Sequence, residues 1–357
     1  MQLVRLCLLI INGLLLLTIR VSVAADCTES SSCSSKYIAW NINVDQNGGG
    51  DFKTVQDAID SVPSNNNQWI KISINPGTYM EMVEIPRDKP CIFLDGMGKD
   101  ITTITYDGHN RTDISATFTS WPDNVVVRGI TFKNSYNRYW TLQEEFRVTQ
   151  AVAARIYGDK SLFYGCGFLG VEDTLWDVKG RHYYKSCYIE GAVDFIFGNG
   201  QSYFKDCSMN ATVGMPPYYL RRGYVTAQGR QSASDPGGFI FDGGVLYGNG
   251  GVCLGRAYGP YSRVIFIGTC LEASICSRGW DAWRLHGKES NFTYSEVDCT
   301  GSGSDKSKRV PWEKNLDRLQ VEEQFSLSAF INQDGWLNQL PSNRITSGSL
   351  FLGLIYA

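Results

Sequence analysis

The chain has 357 residues, of which 43% are hydrophobic, 13% aromatic and 19% charged. That composition excludes a disordered polymer and suits a β-rich globular protein, with 37 glycines available for its turns. A formal net charge of −3 does not favour nucleic acid or an anionic membrane as a partner.

In chain order, Arg5, the apolar run Leu6 to Thr18 and the small-residue stretch Val23-Ala24-Ala25 read as a secretory signal over residues 1–25. The run is shorter than the roughly 20 residues a bilayer span needs. Cleavage would remove Arg5 and Arg20 and leave 31 basic against 36 acidic residues, a net charge of −5. It would also put the remaining cysteines where disulfides can form. Residues 26–36 are polar and serine-rich, a flexible leader. Val55, Ile59 and Val62 share one helical face and Pro63 stops it, so the spacing predicts a helix over 54–62. Such a helix would cap an open sheet end that could otherwise recruit other chains. Short β-type runs follow at Trp69–Ile74, Cys91–Leu94, Ile101–Tyr106 and Val125–Phe132, each bounded by Gly, Pro, Asn or Asp. Without long helices between them, a doubly wound α/β fold is disfavoured.

Two later stretches are near-copies: Cys166-Gly-Phe-Leu-Gly-Val-Glu-Asp173 and Cys187-Tyr-Ile-Glu-Gly-Ala-Val-Asp194. Their lead-ins, Phe163-Tyr-Gly and Tyr184-Lys-Ser, recur as Phe204-Lys-Asp before Cys207. A period of 20 to 21 residues predicts a solenoid of stacked coils, an all-β parallel β-helix, where a β-sandwich would leave the period unexplained. The three cysteines fit either a buried thiol ladder or bridges. Gly301 to Lys308 reads as a flexible loop and Val321 to Ile331 as a closing helix. The apolar run Leu350 to Tyr356 is too short to span a membrane. The β-helix is expected over 37–337, with 338–357 an unassigned tail.

Residues at equal phase in adjacent coils sit about 4.8 Å apart, so Asp173 and Asp194 become paired carboxylates. Two such groups cannot both ionise cheaply; one stays protonated as an acid while the other acts as nucleophile or base. The alternative is a pair of turn aspartates bonded to backbone N–H groups. With only His109, His182 and His286 and no G-x-S-x-G elbow, a Ser-His-Asp hydrolase is disfavoured. No metal, P-loop or dinucleotide spacing stands out. The nine Trp and nineteen Tyr suit a core better than a sugar platform. Sequons at Asn110, Asn210 and Asn291 are compatible with secretion.

Six blocks in order carry a resemblance to the plant pectin methylesterases. They are Gly77-Thr-Tyr-Met-Glu81, Gln150-Ala-Val-Ala153, Gly170 to Trp176, Tyr188 to Gly198, Thr226-Ala-Gln-Gly-Arg230 and Leu254-Gly-Arg256. The resemblance implies a right-handed parallel β-helix secreted to the cell wall, which hydrolyses methyl esters of galacturonate in pectin and releases methanol. It implies no cofactor or metal. It also implies a monomer that acts on methyl-esterified pectin and that a proteinaceous pectinesterase inhibitor could bind. The family's long inhibitor-like pro-region has no counterpart here. By residue, Asp194 matches the nucleophile, with a pKa lowered by Arg256, which would hold it ionised. Asp173 matches the acid, then base, with a raised pKa. Gln150 matches an oxyanion-stabilising amide, and Phe197 and Trp280 match groove-lining aromatics. Two positions depart: Glu172 stands where the family usually has a Gln that donates to the oxyanion, and Tyr258 where it commonly has Trp. Glu172 motivates a rival reading, a catalytically impaired pectin-binding protein. A pectate lyase or polygalacturonase, which would release no methanol, is a weaker rival.

Overall fold

The computed structural model describes residues 33–138, 148–215 and 220–341. These form a parallel β-helix of three sheets, one of ten strands and two of eight, in which each coil contributes successive strands to successive sheets. The stacking follows the repeat: Phe163 pairs with Tyr184, and Tyr184 with Phe204. The lead-in aromatics form an inward stack through Phe163, Tyr184, Phe204, Phe241 and Phe266, with neighbouring ring centroids 4.5–5.0 Å apart. One left-handed residue turns the chain at the end of each of these lead-ins: Gly165 (φ 59°), Ser186 (52°) and Asp206 (51°). Glycine adopts that conformation freely, whereas Ser and Asp do so at some cost. The cysteines that follow are buried free thiols, each against the carbonyl of a residue one coil earlier, as Cys187 Sγ is 3.4 Å from the Phe163 oxygen. The ladder is therefore what forms, not bridges.

The expected capping helix is present at Val55–Ser61, with Val55, Ala58 and Ile59 buried. The Thr54 side chain accepts from the Asp57 amide, and Glu81 accepts from the amides of Val55 and Gln56 at 2.8 and 2.9 Å. A carboxylate there satisfies two orphan donors at the positive end of the helix. Cys33 is bridged to Cys91, so the described end of the polar leader is tethered rather than free. The closing helix is split at Ser326 into Arg318–Phe325 and Leu327–Phe330, because Ser326 is extended and caps the second piece. Phe325, Phe330, Trp336, Leu337 and Leu340 cover the outer face of the ten-stranded sheet, a second apolar layer beyond the coil interior. Leu340 thus belongs to the packed body, beyond the boundary expected at 337; residues 342–357 lie outside the described residues, as do 1–32 with the expected signal. No helix among the described residues is long and apolar enough to cross a membrane.

One eight-stranded sheet matters most below and is called the site sheet. Its strands are Val83–Ile85, Phe118–Ser120, Ala154–Ile156, Leu175–Asp177, Val193–Gly198, Gly223–Gln228, Val252–Ala257 and Trp280–Asp281. Strand alternation gives it two columns. The inward column runs Val83, Phe118, Ala154, Leu175, Ile196, Thr226, Gly255, Trp280. The outward column runs Glu84, Thr119, Arg155, Trp176, Phe197, Ala227, Arg256, Asp281.

Candidate active site

Asp173 and Asp194 occupy equal phase in neighbouring strands: Glu172 bridges Val193, and Leu175 pairs with Ile196. Both aspartates have left-handed backbone, φ 61° and 48°. For Asp194 the cause is a bulge. Between the pairs Val193–Tyr224 and Ile196–Thr226, the strand holds Asp194 and Phe195 against Val225 alone. The extra residue lets Phe195 and Ile196 both enter the core while the carboxylate leaves it. Two strained positions, each costing of order 1–3 kcal/mol, fall on the two candidate catalytic carboxylates.

Asp194 is 6% exposed and Asp173 8%. Arg256 grips Asp194 with a fork: Nε donates to both carboxylate oxygens, at 2.8 and 3.0 Å, and Nη2 donates to Oδ2. Its guanidinium lies between two rings, 4.1 Å from the centroid of Trp283 and 4.6 Å from that of Tyr224. Asp281 steadies both walls, accepting from the Trp283 amide at 2.7 Å and the Tyr224 hydroxyl at 3.2 Å. The disulfide Cys253–Cys276 ties the Arg256 strand to the segment leading to Trp283.

The electrostatics depart from expectation at Asp194. Burial raises its pKa, outweighing the hydrogen bonds and charge of Arg256, where a lowered value was expected. Asp173 is pushed well above the carboxylate range by burial, then by Asp194 and Glu172, with Arg256 opposing. The asymmetry is as anticipated all the same: Arg256 bonds directly to Asp194 and acts on Asp173 only at a distance. Burial works to lower the pKa of Arg256, but Asp194 more than offsets it, and the ion pair itself is given by the fork geometry.

Gln150 is exposed and pairs in sequence with Glu172 through a backbone bridge, so the two stand side by side at the rim. Its Oε1 accepts from Thr112 Oγ1 at 3.2 Å, which orients the amide with Nε2 as its free end. Glu172 is half-buried. Phe197 is in the outward column, stacked on Trp176 with centroids 5.3 Å apart. Tyr258 is 58% exposed and 6.0 Å from Trp283.

Trp280 is a correction. It lies in the inward column, 0% exposed, stacked on Tyr294 at 4.5 Å. It stands behind a pocket of about 270 Å³ edged by Arg221, Arg222 and Arg278, but exposes no surface to it. The aromatic beside the carboxylates is Trp283, three residues on, which the sequence reading missed together with Asp281 and Tyr224. Strand parity counted back from Arg256 would have given Asp281, not Trp280, the outward position. His182 does find an aspartate and a serine, but Asp177, His182 and Ser202 are wholly buried and Ser202 bonds to Asp177, not to His182. Among the described residues no group of His, Cys, Asp and Glu is arranged to hold a metal ion.

The pectinesterase family model matches residues 41–334. Probable pectinesterase 29 of Arabidopsis thaliana is 46% identical over 300 residues, 84% of this chain and 89% of its own length. Pectinesterase 31 of the same plant is 36% identical over 77% of this chain and 87% of its own length. Among solved structures, the pectin methylesterase from carrot superposes with a TM-score of 0.76 at 29% identity, covering 83% of this chain and 94% of that one. The matched span takes in the whole aspartate, arginine and aromatic cluster, and the chain belongs to the pectinesterase family of carboxylic ester hydrolases.

Proposed function

We propose that Asp194 and Asp173 carry out the hydrolysis of galacturonate methyl esters in pectin. The observation that supports this most is the asymmetric pair: two buried carboxylates at equal phase, one forked by Arg256 and the other pushed towards its neutral form. Asp194 attacks the ester carbonyl carbon. The oxyanion that forms is stabilised by the Gln150 amide. The carbon–methoxide bond breaks as Asp173 gives its proton to the departing oxygen, so methanol leaves and the acyl group stays on Asp194. Asp173, now ionised, takes a proton from water; the hydroxide attacks the acyl carbon, releasing the galacturonate carboxylate and Asp194. Tyr258 and Trp283 offer ring faces to the sugar chain, while Phe197, 7% exposed and packed against Trp176, supports the floor beneath it. Secretion to the cell wall, action as a monomer and binding by a proteinaceous inhibitor fit this reading through the family.

Glu172 stands where the family usually has a Gln that donates to the oxyanion. A protonated Glu172 can donate to the oxyanion as the family's Gln does, and an ionised one repels it. Glu172→Gln is expected to raise methanol release at neutral pH by about 10²- to 10³-fold, as restoring one oxyanion donor would, and to move the profile to higher pH. An unchanged rate and profile would remove Glu172 from the mechanism. The reading itself is tested by methanol release from highly methylated pectin between pH 4 and 9, with Asp194→Ala as control. Methanol that persists in the control would sink the aspartate assignment. No methanol from a folded protein that binds pectin would favour the impaired binding protein.

A further inference from the structure

The second eight-stranded sheet comprises Gly77–Met80, Thr102–Tyr106, Thr131–Asn134, Gly167–Leu169, Tyr188–Gly191, Ser208–Ala211, Val245–Gly248 and Cys270–Leu271. Its inward column, from Tyr79 and Ile104 to Leu246 and Leu271, belongs to the core. Its outward face is polar at one end. Thr78, Thr103 and Thr131 stand in register across three strands, and Thr105 stands beside Lys133. Together with Lys99 they line a pocket of about 540 Å³, a volume typical of ligand sites. The pocket lies on a different sheet from the catalytic groove: Leu169, on its wall, precedes the turn that leads to Asp173 and the site sheet. Thr105 is 9% exposed and lines the pocket, yet its hydroxyl is buried with no hydrogen-bond partner among the described residues. A buried hydroxyl left unpaired costs about 1–3 kcal/mol, which a polar ligand would relieve. Lys133 is half-buried and makes no ion pair among the described residues. Lys99 has only the exposed Asp100, its neighbour in sequence, at 3.0 Å, a pair worth little. Thr131 donates to the Lys99 carbonyl at 2.6 Å and so fixes the turn that carries Lys99 to the pocket wall. The Tyr188 hydroxyl is engaged, donating to Glu190 at 2.5 Å and accepting from Asn210 at 2.9 Å. What Tyr188 offers the pocket is therefore its ring, next to Leu169 and the exposed Met80.

We propose that this pocket is a second polysaccharide site, which holds units of a de-esterified galacturonan chain outside the catalytic groove and tethers the enzyme to its polymer. The chemistry of the lining selects an acidic sugar. The threonine hydroxyls exchange hydrogen bonds with sugar hydroxyls, the two ammonium groups pair with carboxylates, and the Tyr188 ring with its aliphatic neighbours meets the C–H face of a sugar ring. An acidic peptide would satisfy the lysines but would leave the row of hydroxyls without matching partners. A chain held here leaves its farther units able to reach the aspartates round the corner between the two sheets. That the acid is galacturonate rests on the substrate reading above; the site itself does not depend on which residues catalyse.

The test measures binding at low salt to immobilised, fully de-esterified pectin and to immobilised polyglutamate. It compares the wild type with the double variant Lys99→Glu/Lys133→Glu and with Thr105→Val. The wild type should bind the de-esterified pectin and pass the polyglutamate. The double variant should bind the pectin about tenfold more weakly or worse, as the loss of charge-assisted contacts would, and Thr105→Val should bind it more weakly while melting no lower than the wild type. In the double variant KM on long, partly methylated pectin should rise. Its kcat/KM on fully methylated trigalacturonate, too short to occupy both places, should stay at the wild-type value. Pectin binding unchanged in either variant would overturn the proposal. So would equal wild-type binding to polyglutamate, which would reduce the site to charge alone, or an equal loss on the short and the long substrate, which would put the lysines in the groove. Should Thr105→Val not fold, the double variant decides alone. Binding is read without turnover, so an Asp194→Ala enzyme that still made methanol would sink the aspartate reading and leave this one standing.

Discussion

Asp173 carries a cost that its surroundings relieve only in part, through the charge of Arg256. Its folded pKa is raised, by burial first and then by Asp194 and Glu172. The folded state therefore binds the extra proton above the unfolded value of about 3.9, and stability falls as pH rises from there through the folded pKa. Asp173→Asn removes that slope. It should raise the melting temperature at pH 7 more than at pH 4, by an amount worth at least about 1 kcal/mol, while methanol release drops by about 10³-fold or more. A variant less stable at pH 7 than the wild type would contradict this account of the carboxylate. The two tryptophans near the site separate in the opposite sense. Trp280→Ala should cost about 3–5 kcal/mol of stability, the loss of a core aromatic. Trp283→Ala should leave unfolding nearly unchanged but lower kcat/KM at least about tenfold, since one wall of the Arg256 clamp is gone. Thermal melts and steady-state kinetics on both variants would check the pair. The aspartates were legible because a 21-residue phase fixes their pairing whatever the coil's details. Trp280 was misread because resemblance transfers a residue type, whereas burial depends on strand parity. The pKa of Asp194 was misread because a sequence shows Arg256 but not how far both groups are buried.

At the scale of elements, strands from successive coils are locked together by one buried polar cluster. His182, on a strand of the ten-stranded sheet, sets Nδ1 at 2.7 Å from Asp177 Oδ1 and Nε2 at 2.8 Å from the carbonyl oxygen of Gly158. Ser202, one strand on, donates to the other oxygen of Asp177 at 2.6 Å. The Gly158 carbonyl only accepts, so Nε2 carries a proton, and the bond to Asp177 favours a second proton on Nδ1. Burial works to lower its pKa, but the charge and hydrogen bond of Asp177 and the Gly158 carbonyl prevail and raise it. A raised pKa contributes stability that is fully present below about 6.5 and is lost as pH rises through the folded value. His182→Gln should therefore destabilise by about 3–5 kcal/mol at pH 5.5, where Asp177 loses its cation, and by less at pH 9. Urea titrations at the two pH values would show it, and a loss that grew with pH would refute the imidazolium. From the sequence, His182 counted only towards excluding a hydrolase triad. Its role was not legible, because Asp177 and Ser202 reach it through coil stacking and not through any local spacing.

For the whole molecule, the β-helix solves its interior by stacking and is left with a second problem on one outside face. Over seven of its ten strands the outward column of the large sheet runs Phe93, Val126, Leu162, Tyr183, Tyr203, Ile240 and Ile265, all apolar or aromatic, and only its ends, at Asn41, Lys71 and Ser295, are polar. Each of these seven is buried, and the C-terminal helices supply Phe325, Phe330 and Trp336 to cover them. The requirement was written in the sequence: runs such as Ile92-Phe-Leu94 and Val125-Val-Val127 do not alternate, which marks strands buried on both faces. What the sequence could not say is which segment provides the cover, since Arg318–Phe325 buries only Val321 and Phe325 and carries little apolar periodicity. The helices are thus held by the sheet more than they hold themselves, with Arg181 to Asp334 at 2.8 Å as one polar tie. A chain ending at Asn315 keeps every residue proposed for catalysis but uncovers that column. At about 1.5–3 kcal/mol for each large apolar side chain returned to water, the seven together lose about 10–21 kcal/mol, as much as the 5–15 kcal/mol that holds an ordinary domain folded. The truncated protein should therefore self-associate or fail to fold, visible as a high-mass species in light scattering and as lost methanol release. A monomeric, active truncation would mean that the β-helix stands by its interior alone and that the outer layer serves some other end.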